Sequence, residues 1–224
     1  MFRPVRRQAG FTMVEVAAVM VIGGLIYGSV MKNQELVASA TAKRLANDFS
    51  TVTTAVRTYE GLYRSLPGDD RAAADHVGGA LLATTPAGSI GNARIDGAWN
   101  SLTETDESYL AWQHLRLARI VGGTTEVPSA PAAGDAYNPR NGAEGRIGVT
   151  SAPVLTSGVW PAALFACASG IDGRLARRVD RMLDDGSTAS GDVRVICEGE
   201  CSSGAGISLT PANEAGTYTL CSAI

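Results

Sequence analysis

The sequence predicts an α+β protein: a long N-terminal hydrophobic α-helical stem, then a C-terminal globular head containing an antiparallel β-sheet. Three observations predict it. The run from Phe11 to Met31 holds a single formal charge, Glu15. No proline lies between Pro4 and Pro67, so nothing of that kind breaks a helix there. Short β-rich runs bounded by Gly, Ser or Asn occur only after residue 145, and they read as strands. With 224 residues, 45% hydrophobic and 18% charged, the chain can bury one sizeable core with an appendage, but not several large domains.

The stem comes first. A run from Phe11 to Met31 is long enough as a helix to cross about 30 Å of hydrocarbon. Arg3, Arg6 and Arg7 precede it and Lys32 marks its far end, so the positive-inside rule places the amino end in the cytoplasm and the bulk of the chain outside. A plain single-pass anchor has no use for Glu15, which costs a few kcal/mol if deeply inserted. An ordinary secretory signal ending near Ala38-Ser39-Ala40 leaves Glu15 equally unexplained, and strands Lys32-Asn33-Gln34-Glu35 between the apolar core and the cut. Beyond Lys32, Leu45, Phe49, Val52, Val56, Tyr59, Tyr63 and Leu66 recur every three or four residues as one amphipathic stripe. One helix from about Phe11 to about Gly61 would measure about 75 Å.

The stretch Gly10-Phe11-Thr12-Met13-Val14-Glu15, with a short basic leader before it and a membrane-length apolar run after it, resembles the processing site of type IV prepilins and of the pseudopilins of type II secretion. The resemblance implies that residues 1–10 are a leader removed by a prepilin peptidase cutting between Gly10 and Phe11, and that the new amine of Phe11 is N-methylated. It implies that residues 11–31 lie in the membrane or filament core, that 32–61 continue the helix amphipathically, and that 62–224 form a periplasmic or extracellular head. It further implies storage in the bacterial inner membrane as a single-pass protein with its amino end inside, before assembly into a pilus or pseudopilus. The implied partners are other pilin or pseudopilin subunits and an inner-membrane assembly platform. A large, loop-rich head favours a minor pilin-like subunit of a type IV pilus; a type II secretion pseudopilin is the alternative.

Physical chemistry gives Glu15 a purpose within that reading. A carboxylate and an amine are each expensive alone in low dielectric, while a pair formed between neighbouring subunits is tolerated and sets the register of two helices. Glu15 is therefore an assembly residue rather than a catalytic base. Many major pilins carry a proline near the position of Lys32; this chain does not, and Gly23, Gly24 and Gly28 offer close-packing points instead.

In the head, Leu66-Pro67-Gly68-Asp69-Asp70 is a turn whose aspartates can cap the next segment. A similar turn after the stem occurs in a subset of prepilin-like proteins. Residues 78–100 and 122–145 read as loops, and Glu107 to Val121 as a second helix closed by Gly122 and Gly123. Strands are predicted at 146–150, 192–197 and 217–221. Between the first two, 171–186 is a third helix with Leu175, Val179 and Met182 inward and Gly186 as its stop.

Cys167, Cys197, Cys201 and Cys221 form an even set in an exported chain, which reads as disulfides with three pairings open. The C-x3-C spacing and distant His76 and His114 do not suit zinc. Asp184-Asp185-Gly186-Ser187 with Asp192 does not match the spacing of a calcium loop, so no metal and no cofactor are expected. Arg174, Arg177, Arg178 and Arg181 fall on one helical face, the footprint DNA binding would need. Asp172, Asp180 and Asp184 stand among them at pairing distance, and removal of the three leader arginines takes the net charge from −3 to −6, so DNA binding is not expected. An exported single-pass domain binding DNA or a surface through that face is the reading from a different class. No hydrolase, nucleotide-binding or metalloprotease motif occurs, both histidines are isolated in sequence, and no enzyme is expected.

Overall fold

The computed structural model describes residues 12–129, 137–155, 160–161, 163–198 and 206–224. The chain divides into two compact units, Met1–Ala40 and Thr41–Ile224. Helix α1 spans Met13–Tyr63, 51 residues, matching the uninterrupted stem. In the first unit its side chains from Met13 to Tyr27 are exposed, Met13 by 92% and Val14 by 77%.

In the second unit the predicted stripe is the core. Leu45, Phe49, Val52, Val56 and Tyr59 are buried in the main hydrophobic cluster, with Tyr63 and Leu66 partly buried against it. The helix ends at Arg64, whose φ of 59° gives a left-handed cap, and its N–H bonds back to Glu60 O at 2.8 Å. After the turn at 66–70 a short helix α2, Ala73–Val77, was not anticipated. Helix α3 runs Glu107–Leu117 and stops one turn before the predicted Val121, because Arg119 takes a left-handed conformation and Ile120 bonds back to Leu115.

Four antiparallel strands complete the head in the order β1-β2-β4-β3: β1 Ile147–Thr150, β2 Phe165–Asp172, β3 Val193–Cys197 and β4 Thr217–Ala223. Three were predicted. The central strand β2, FACASGID, was not, because its small residues lack β propensity. Alternation assigns its faces. Ala166 and Ala168 join Leu220, Val149, Val193 and Val195 in the core shared with α1 and α3. Phe165, Cys167 and Cys221 face the other way, under Trp99, Val154, Trp160 and Ile196. The α+β architecture stands, with one more strand than read from sequence.

Helix α4, Gly173–Leu183, starts on the last residue of β2, since the Asp172 carboxylate accepts from Arg174 N–H at 2.9 Å. Its inward face differs from the predicted one. Val179 and Ala176 are fully buried, Leu175 is partly so, and Met182 is 45% exposed. In its stead Asp180 is fully buried, and neither carboxylate oxygen has a hydrogen-bond partner among the described residues. Burial, with Asp184 and Asp185 nearby, pushes its carboxyl up to about 6. A raised acid pKa costs nothing below the unfolded value near 3.8, and the penalty grows to its full size above about 6. Asp180→Asn is accordingly expected to stabilise the head by about 2–3 kcal/mol at pH 7 and by little at pH 4, as read by thermal melts at both pH values.

Candidate processing and assembly site

At the start of α1, Thr12 and Glu15 form a closed pair. The Glu15 carboxylate accepts from Thr12 N–H at 2.8 Å and from Thr12 Oγ1 at 2.9 Å, while Glu15 N–H donates to Thr12 Oγ1 at 3.3 Å. This is a capping box with Thr12 at N-cap and Glu15 three residues on. It answers a local need. The first N–H groups of a helix have no intrahelical acceptor, and in hydrocarbon each unsatisfied one costs several kcal/mol. The carboxylate also meets the positive end of the helix dipole. Thr12 was missed from the sequence, although the spacing Thr-x-x-Glu before an apolar run announces it. Gly10 and Phe11 lie outside the described residues.

The same helix holds an 18-residue stretch apolar enough to cross a membrane, with none of that stretch buried within the protein. A capped, acid-bearing helix start therefore leads directly into membrane-grade surface. Residues 5–29 match the family described as the prokaryotic N-terminal methylation motif. This chain carries the type IV pilin and pseudopilin signature. The signature spans Gly10 to Glu15 and the apolar stem as far as Ser29, not the head. No curated protein and no solved structure matches the chain. The pilin signature marks structural filament subunits; it implies processing by prepilin peptidase and assembly with other pilin subunits. Together with the apolar helix, it fits membrane anchoring before assembly into a surface filament.

The remaining candidate residues sort by their contacts. Cys167 and Cys221 are bonded to each other across directly opposed positions of β2 and β4. Cys197 is disulfide-bonded too, while Cys201 lies outside the described residues. The arginine face is divided: Arg174 and Arg177 both bridge Glu214, at 3.1 and 2.8 Å. The expected aspartate pairing is corrected, because Asp172 caps α4, Asp180 is buried, and Asp184 accepts from Asp192 N–H at 2.6 Å and Val193 N–H at 3.0 Å. Asp184 thus ties the end of α4 to the start of β3. Glu198, next to Cys197, accepts from Gly170 N–H at 2.5 Å and Thr219 Oγ1 at 3.1 Å, satisfying the bulge in β2.

Neither histidine is isolated in space. His114 is fully buried, its Nδ1 accepting from Gly68 N–H at 3.0 Å and its Nε2 meeting Leu81 O at 2.8 Å. That pattern requires the neutral ring protonated at Nε2, and burial lowers its pKa accordingly. His76 Nδ1 pairs with the Asp70 carboxylate at 2.6 Å, and its ring stacks on Tyr63 with centroids 5.0 Å apart. Asp70 also accepts from Tyr59 Oη at 2.9 Å and Ala72 N–H at 2.9 Å. Burial works to raise the Asp70 carboxyl, but the His76, Tyr59 and Ala72 donors outweigh it and hold it below the usual carboxylate range. The two aspartates of the turn therefore do more than cap a neighbouring segment: Asp70 clamps α1 to the turn, and Asp69 gathers the backbone N–H groups of Gly91, Asn92 and Ala93.

Proposed function

We propose that this chain is a structural subunit of a type IV pilus, minor pilin-like, processed by prepilin peptidase between Gly10 and Phe11 and assembled through its N-terminal helix. The observation that carries this reading is the lone carboxylate at Glu15, one helical turn into an apolar membrane-length helix that bears the N-terminal methylation motif. In this reading residues 1–10 are discarded and Phe11 is N-methylated. The stem over 11–31 sits in the inner membrane, amino end inside, until the assembly platform draws the subunit into a filament. Residues 32–61 continue the stem and 62–224 form the exported head. The four cysteines form two disulfides, Cys197 pairing with Cys201 beside the Cys167–Cys221 bond. The head has long loops and a net acidic chain, and the partly paired arginine face of α4 gives no reason to invoke DNA.

A pseudopilus of type II secretion uses the same leader and stem, and one experiment separates the two. Surface filaments sheared from the native cell are expected to contain the chain at low abundance, and its deletion to reduce piliation. Its absence from sheared filaments, with loss of protein secretion on deletion, would replace this reading with the pseudopilin one.

A further inference from the structure

The turn after α1 borders an open surface pocket of about 330 Å³ on the head, lined in part by Glu60, Arg64, Asp69, Asp70, Arg71 and His76. Its carboxylates are already engaged. Asp69 is taken by three backbone N–H groups, Asp70 by Tyr59, His76 and Ala72, and Glu60 by Arg57 at 2.9 Å. The donors are not. Arg71 uses its Nε on Ile90 O at 2.7 Å, which leaves both Nη groups without a partner among the described residues. The Arg64 guanidinium has none there either.

The backbone around these donors is specialised. Arg64 occupies a left-handed position, φ 59°, where glycine is the usual occupant and an L side chain costs about 1–2 kcal/mol. Arg71 is seated over Gly91, at φ 80°, where an added Cβ would stand 2.0 Å from Arg71 Nε. The Asp69 carboxylate gathers the loop that carries this glycine. Two arginines thus line one small space, and guanidinium geometry matches planar or tetrahedral oxygen groups in two-point contact.

We propose that this pocket binds a single oxyanion group, a carboxylate or a phosphate, gripped by Arg64 and Arg71. The proposal rests on the head alone and is independent of the filament reading. Its test is titration of the full chain in detergent micelles with inorganic phosphate and, separately, acetate at constant ionic strength, followed by side-chain NMR of arginine. Saturable shifts of Arg64 and Arg71 are expected with at least one anion. Arg64→Gly is expected to weaken binding at least tenfold while holding or raising Tm, because glycine suits that backbone. Absence of saturable shifts with either anion, or unchanged affinity in Arg64→Gly, would overturn the site. Cross-linking of the chain to itself distinguishes the sources: saturating phosphate added beforehand that lowers the cross-linking yield identifies a carboxylate borne by a neighbouring copy, and an unchanged yield identifies a free anion.

Discussion

Gly68→Ala is expected to lower the stability of the head by roughly 3–4 kcal/mol. Gly68 has φ 88°, and a Cβ there would lie 2.2 Å from Glu107 O and 2.9 Å from Glu107 C. Both obstacles are backbone at the start of α3, so neither can rotate away. The left-handed conformation costs an alanine about 1–2 kcal/mol, and overpacking against a fixed neighbour adds about 1–3 kcal/mol. Displacing the turn also withdraws Gly68 N–H from His114 Nδ1, leaving a buried imidazole acceptor unpaired. At about 2–4 °C per kcal/mol for a unit of this size, Tm falls by about 10 °C. A melting curve of the full chain in detergent checks it, and a shift below about 2 °C would show that the turn relaxes freely.

The largest functional effect is expected at Glu15. Glu15→Ala should leave cleavage after Gly10 largely intact and abolish incorporation into filaments. Two roles compete for this carboxylate: the intramolecular cap on Thr12 seen in the structure, and the proposed intersubunit pairing with the Phe11 amine. Glu15→Gln separates them. Glutamine at this position still completes a capping box, worth about 1 kcal/mol, but it carries no charge. Leaving a buried charge unpaired costs about 3–5 kcal/mol, which corresponds to a more than hundredfold loss of incorporation. Glu15→Gln is therefore expected to assemble as poorly as Glu15→Ala, as quantified in sheared filaments. Assembly of Glu15→Gln at wild-type levels would assign the carboxylate to capping alone.

Legibility in the sequence followed periodicity. The stem and its core face were readable because Leu45, Phe49, Val52, Val56 and Tyr59 repeat at helical spacing and bury as that spacing requires. Strands β1, β3 and β4 were readable from their β-branched residues. Strand β2 was not, because its place between two neighbours selects small side chains such as Ala166 and Ala168, whose burial is decided by partners far away in sequence. The inward face of α4 was misread at Met182 and Asp180, where hydrophobic pattern pointed one way and tertiary packing the other. At the N-terminus, Glu15 stood out as a charge in an apolar run, while the equally legible Thr12 was overlooked. The cluster of Tyr59, Asp70 and His76 joins residues 11 and 6 positions apart, too irregular a spacing to show as a motif.

A filament subunit is defined by where its mature chain begins and by what its first charge meets. Intact-mass and amino-terminal peptide mass spectrometry of the protein isolated from its native cell tests most directly whether this chain is one. The expected result is a chain starting at N-methylated Phe11, with residues 1–10 absent. A chain retaining its leader, or starting near Thr41 or Lys43 after an ordinary signal cut, would contradict it.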